Sequence, residues 1–124
     1  MHTMKKRILI IEDELAIVEL LRLVLIREGY EVYSCQTGRD ALATIKKVGP
    51  HLIILDVMLP GLDGATLVRI MHEDETLSSY PIIISSALAE SEKMFVNYPQ
   101  VKGFCSKPFD LKKFVEQVKR AIGD

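Results

Sequence analysis

The sequence has no tryptophan and only two cysteines, Cys35 and Cys105. Two cysteines cannot build the disulfide framework of a small secreted domain. No cysteine–histidine spacing suggests zinc. Both thiols read as small buried side chains within strands. Charge of one sign is also lacking: 16 Lys and Arg stand against 17 Asp and Glu, a net of -1. A general nucleic-acid binder would show a basic excess, so no direct nucleic-acid contact is expected. No run approaches the roughly 18 apolar residues that a membrane span requires. The N-terminus has neither an uninterrupted signal-peptide core nor a small-residue cleavage site, which makes the cytoplasm the expected location. Internal repeats, low-complexity tracts and linkers are missing as well. Met1-His2-Thr3 precede a second methionine, Met4, and carry no assigned role.

What remains is the material of one α/β domain. A chain of 124 residues is long enough to bury a core without staples. The reading is a single domain over 1–124 with its core at about 6–122. Strand and helix patterns alternate. Arg7 to Ile11 is an apolar strand, followed by a helix from Leu15 to Arg27 whose stripe is Ile17, Leu20, Leu21, Val24 and Leu25. Gly29 ends that helix. Glu31 to Cys35 is a short strand. Thr37-Gly38-Arg39-Asp40 resembles a capping box opening a helix to Lys47, which Gly49-Pro50 breaks. Leu52 to Leu55 is a third strand, and a helix follows at about Ala65 to Asp74. Pro81 precedes a strand at Ile82 to Ile84. A weaker helix is expected from Leu88 to Val96, limited by Pro99. Val101 to Ser106 is the fifth strand. Asp110 caps a last helix whose stripe is Leu111, Phe114, Val115, Val118 and Ile122.

Strands one, three and four are apolar throughout rather than alternating, as in parallel sheets covered on both faces. The expected fold is a doubly wound α/β domain: a five-stranded parallel sheet, flavodoxin-like, in the order 2-1-3-4-5. Ligands of open α/β sheets bind beyond the carboxyl ends of the strands. Glu12-Asp13 follow strand one, Asp56 strand three, Ser86 strand four and Lys107 strand five. In that strand order, three carboxylates meet in one crevice. They repel one another unless a cation neutralises them. An all-oxygen set favours Mg²⁺, with Mn²⁺ as an alternative, over zinc. A lysine and a hydroxyl on the other side complete what an incoming phosphoryl group needs. Singly, each residue has a blander reading: an aspartate as turn former, a serine as cap, a lysine as solvated charge, Phe104 as core. Their joint placement at successive strand ends favours chemistry.

At this point the chain resembles the CheY-like receiver domain of two-component response regulators, from Lys6 to Ile122. The motifs are ILIIEDE, LIILDVMLPGLDG, PIIISSA and GFCSKPFD. The resemblance implies that Asp56 accepts a phosphoryl group from a histidine on a partner kinase or phosphotransfer protein. It implies Mg²⁺ held by Asp13, Asp56, Glu12 through water, and the backbone carbonyl of Met58. Ser86 and Lys107 would contact the phosphoryl oxygens, with Pro108 following through a bond that is often cis. Ser86 and the aromatic Phe104 would form the switch, altering the surface of the fourth helix and fifth strand. Such a domain is a signalling switch rather than a turnover enzyme. The segment Asn97 to Lys102 departs from the small-residue connection usual before strand five, leaving the output partner open. A phosphorylation-dependent homodimer is among the expected assemblies.

Two further expectations come from side chains. Met58 and Leu88, two residues beyond Asp56 and Ser86, cannot orient a hydrolytic water, so self-dephosphorylation is expected to be slow. Leu23 and Ile26 lie off the first helix's stripe and are either scattered surface apolars or part of a contact for a partner's helical bundle. Competing readings of the whole chain are a receiver-like interaction scaffold that does not use phosphorylation, and an aspartate-nucleophile phosphatase or phosphotransferase. The latter in its familiar form uses a second aspartate where this chain has Met58.

Overall fold

The computed structural model describes residues 5–87 and 91–124. Five strands form one parallel sheet: β1 Arg7–Ile11, β2 Glu31–Cys35, β3 Leu52–Asp56, β4 Ile82–Ser86 and β5 Val101–Ser106. Their order is β2-β1-β3-β4-β5, the expected one of the two common doubly wound orders. Every residue of β3 and β4 is buried, because a central parallel strand is covered on both faces.

Four helices do the covering: α1 Leu15–Arg27, α2 Gly38–Val48, α3 Gly64–His72 and α4 Leu111–Ile122. Leu9, Ile11, Ile53, Leu55, Ile82 and Ile84 face one way, with Ala41 and Ile45 of α2 and Leu67, Val68 and Met71 of α3. Ile8, Ile10, Leu52, Ile54 and Ile83 face the other way, with Val18, Leu21 and Leu25 of α1 and Phe114 and Val118 of α4. The period-two alternation of strand side chains thus divides the core into two layers.

Local signals set most boundaries. The Thr37 hydroxyl oxygen accepts from the Asp40 amide at 3.2 Å, Asp63 accepts from Thr66 at 2.9 Å, and Asp110 accepts from Lys113 at 3.2 Å. Each meets one of the orphan N–H groups that begin a helix. Gly49 and Gly123 end α2 and α4 in the left-handed region, which glycine adopts without a Cβ clash.

Two expectations are corrected. The core stripe of α1 is Val18, Leu21 and Leu25, whereas Leu20 is 41% exposed. This helix is apolar on nearly every face, so several registers satisfy the same periodicity and packing against β1 and β2 selects one. The helix expected from Leu88 to Val96 is a short 3₁₀ turn, Ser91–Phe95, with residues 88–90 outside the described ones. Among its described residues only Ser91 and Phe95 are buried, and two anchors four apart cannot hold a full amphipathic helix to the sheet. Smaller shifts occur at ends: β3 runs on to Asp56 and β4 to Ser86, and α3 spans Gly64–His72.

Candidate phosphoacceptor site

The site lies at the carboxyl ends of β1, β3, β4 and β5. Continuing the alternation past β1 puts Glu12 on the α1/α4 face with Ile8 and Ile10, and Asp56 shares that face with Leu52 and Ile54. Glu12 is 2% exposed and Asp56 5%, while Asp13 is exposed. Glu12, Asp13 and Asp56 each offer a carboxylate oxygen within 4.8 Å of the others.

Lys107 enters from the end of β5. Its amide donates to the Ser86 carbonyl at 3.0 Å, carrying the strand ladder one step further. The Lys107–Pro108 bond is cis. The Lys107 ammonium lies 2.8 Å from Glu12 Oε1, 3.2 Å from Asp56 Oδ2 and 4.0 Å from Glu14 Oε1. Glu12 Oε1 is buried, and the Lys107 ammonium is its close charged neighbour. The Met58 amide donates to Asp56 Oδ1 at 3.0 Å, so both oxygens of Asp56 are engaged.

Burial pushes the Glu12 carboxyl up to about 7 from 4.5, against the pull of Lys107 and the Glu14 amide. Burial acts to lower Lys107, but Glu12 and Asp56 outweigh it and hold the ammonium above its ordinary value. One cation thus faces a set of acids too crowded for all to ionise freely. The donor set is oxygen only, its three carboxylates converge within 4.8 Å, and one member is pushed toward its protonated form. Those features fit a hard divalent cation such as Mg²⁺.

Two glycines allow close backbone approaches to the loop after β3. A Cβ at Gly64 would lie 2.6 Å from the Asp56 carbonyl oxygen, and one at Gly38 would lie 1.6 Å from the Leu62 carbonyl oxygen. The Gly64 amide donates to the Val57 carbonyl at 2.9 Å and the Gly38 amide to that of Pro60 at 3.3 Å.

The residues singled out in the sequence fall into two groups. Glu12, Asp13, Asp56 and Lys107 converge, and Met58 reaches Asp56 by its amide while its side chain is 60% exposed. Ser86 is buried at the end of β4, and alternation turns it to the opposite face with Ile82 and Ile84. Phe104 packs on that face too, its ring 6.2 Å from Phe95, and Phe95 continues to Tyr98 at 6.4 Å and Tyr98 to His72 at 5.1 Å. Leu88 lies outside the described residues. Leu23 and Ile26 are exposed. Two residues were missed. Glu14, visible as the third acid in Glu12-Asp13-Glu14, joins the lysine's surroundings. Ser85, hidden beside Ser86 in an apolar run, is the direct register neighbour of Asp56.

An aspartate beside two other acids and a lysine thus stands at the carboxyl edge of a doubly wound parallel sheet. Comparison with known proteins gives the family. Residues 8–119 match the family described as the response regulator receiver domain, and the chain belongs to that family. It is a signalling domain rather than a turnover enzyme. It is 31% identical over 123 residues to the DNA-binding response regulator MtrA of Mycobacterium tuberculosis, covering 98% of this chain and 53% of that protein. The chain therefore spans about half the length of MtrA. The polar-differentiation response regulator DivK of Brucella ovis is 29% identical over 122 residues, covering 98% of this chain and 99% of DivK. Among solved structures, the receiver domain of a signal transduction histidine kinase from Syntrophus aciditrophicus superposes with a TM-score of 0.83 at 28% identity, covering 95% of this chain and 90% of that one. Among the described residues, no helix is long and apolar enough to cross a membrane.

Proposed function

We propose that residues 6–122 act as a single receiver domain in which Asp56 accepts a phosphoryl group from the histidine of a kinase or phosphotransfer protein. The observation that carries this reading is the convergence of Glu12, Asp13 and Asp56 within 4.8 Å, with Lys107 3.2 Å from Asp56. Glu12, Asp13, Asp56 and the Met58 carbonyl are the groups that would hold Mg²⁺, or Mn²⁺. When bound, the ion supplies positive charge against the phosphoryl oxygens.

The chain's own residues do the rest. The Met58 amide holds one Asp56 oxygen and orients the carboxylate for in-line attack. Lys107 leaves its carboxylate partners for the phosphoryl oxygens, which bring about -1.5 to -2 of charge. Ser86 turns toward the same oxygens and vacates space on its face of β4. Phe104 moves into that space away from Phe95, altering the surface formed by the 91–95 turn and β5. The partner reads that surface, whether an output domain, another protein or a second copy of this chain. The reading places the protein in the cytoplasm, without direct nucleic-acid or membrane contact.

The test is to incubate the protein with Mg²⁺ and acetyl phosphate and measure intact mass and association. The expected result is one added phosphoryl group, absent without Mg²⁺ and absent in Asp56→Asn. A folded protein that gains no mass under these conditions is the interaction scaffold instead.

A further inference from the structure

Two adjacent serines end β4, and they face opposite ways. Ser86 shares the face of Ile82 and Ile84, where Phe104 lies. Ser85 shares the other face with Ile83, and the register pairs it with Asp56 on one side and Cys105 on the other. Paired residues of neighbouring parallel strands project to the same side, across a strand spacing of about 4.8 Å. Lys107, two residues beyond Cys105, returns to that side as well. Ser85 therefore stands beneath the acid–lysine cluster and directly beside the carboxylate expected to react.

Its hydroxyl is anomalous where it stands. Ser85 is 1% exposed, and its Oγ has no hydrogen-bond partner among the described residues. A buried polar group without a partner is costly and uncommon. An alanine or valine would fill the same place with no polar atom to bury. The reason for the vacancy in its bonding is visible next door. Asp56 Oδ1 is held by the Met58 amide and Oδ2 by Lys107, so in this state the carboxylate already has its donors.

We propose that Ser85 is a second hydroxyl of the phosphoacceptor site, donating to the Asp56 carboxylate while the phosphoryl group leaves. This rests on the proposed function above. In hydrolysis a water oxygen bonds to phosphorus, the bond from phosphorus to the Asp56 oxygen breaks, and its electron pair returns to the carboxylate. The water's proton goes to the released phosphate or to solvent. Lys107 is by then drawn to the phosphoryl oxygens and no longer covers Asp56. Negative charge grows on the carboxylate as the bond lengthens, and a buried donor beside it strengthens with that charge. Ser85 thereby shortens the lifetime of the phosphorylated state, opposite in direction to the apolar Met58 side chain.

The experiment loads wild type, Ser85→Ala, Ser85→Thr and Ser85→Val with Mg²⁺ and acetyl phosphate, removes the donor, and follows the decay of the added mass. Threonine and valine have nearly the same shape and differ by the hydroxyl. Ser85→Ala and Ser85→Val should each hold the phosphoryl group about three- to tenfold longer, the scale of part of one hydrogen bond to a charge, and Ser85→Thr should decay as wild type does. Decay of Ser85→Ala at the wild-type rate overturns the proposal while leaving Asp56 as acceptor. So does equal slowing in the threonine and valine variants, which would assign the effect to shape. A folded Ser85→Ala that gains no mass overturns it too, since the hydroxyl would then serve uptake. Wild type that gains no mass on Asp56 removes this proposal together with the reading beneath it.

Discussion

The Lys107 ammonium lies 3.2 Å from Asp56 Oδ2, joining positions 51 residues apart in the chain. The lysine side chain is 13% exposed, and Glu12, its nearer partner, is 2% exposed. Removing the cation strands two buried carboxylates. Lys107→Met should lose about 3 kcal/mol of stability, the low end for breaking a buried pair, because protonation of Glu12 relieves part of the strain. Urea unfolding at pH 8 in EDTA measures the loss. Mg²⁺ should restore more stability in this variant than in wild type, since the vacated acids then have no competing cation.

Glu12 gives the site a pH signature. Its folded value of about 7 lies above the ordinary 4.5, so the native state holds this proton more tightly than the unfolded chain does. The resulting contribution to stability is fully present below about pH 4.5, declines through the interval, and is gone above about pH 7. Metal binding runs the other way, because a divalent cation requires the ionised carboxylate. Mg²⁺ should raise the melting temperature strongly at pH 8 and little at pH 5.5. In EDTA, wild type minus Glu12→Gln should show a difference that falls as pH rises over that range. Thermal melts of both proteins across pH, with and without Mg²⁺, check the two slopes. A wild-type response to Mg²⁺ that is flat across pH would remove Glu12 from the metal site.

Gly38 fastens the start of α2 to the loop that follows β3. A Cβ there would overlap the Leu62 carbonyl oxygen at 1.6 Å and its carbonyl carbon at 2.6 Å. Backbone cannot swing aside as a side chain can. Gly38→Ala should therefore cost about 3 kcal/mol and displace the loop carrying Met58. Where the variant still folds, its Mg²⁺ affinity should fall too, a loss that an exposed control such as Arg39→Ala should not show. Calorimetric titration of Mg²⁺ on both variants makes the comparison.

Gly103 tests the same idea with a movable neighbour. A Cβ at Gly103 would meet Gln117 Oε1 at 2.3 Å, and the Gln117 amide donates to the Phe104 carbonyl at 2.9 Å. Gly103→Ala must push Gln117 off that carbonyl, at a cost of about 1 kcal/mol for the lost hydrogen bond. In a Gln117→Ala background the obstruction is gone. There the same substitution should be neutral or stabilising, since alanine favours ordered backbone over glycine. The double-mutant cycle should show this coupling, and additive costs would refute it.

Much of this was readable along the chain. Unbroken apolar runs in β1, β3 and β4 announced a parallel sheet, because a strand covered on both faces has no solvent side to mark with polar residues. Thr37, Asp110, Gly29 and Gly49 announced helix ends, because caps act within a few residues of the backbone groups they satisfy. The α1 register was not readable: Leu20 and Val18 are both aliphatic, and the placement of the sheet decides which is covered. Nor was the 91–95 turn, where local propensity allows a helix and the described residues offer only Ser91 and Phe95 as buried anchors.

The sequence by itself determined which chemical groups stand at the strand ends, since a strand's boundaries and its period of two are local properties. Tertiary structure decided which of those groups meet. Strand order brings Glu12, Asp56 and Lys107 together from far-separated segments, burial raises the Glu12 carboxyl, and parallel register sets Ser85 rather than Ser86 beside Asp56. Proximity across strands and the desolvation it brings depend on chain segments that no local pattern relates.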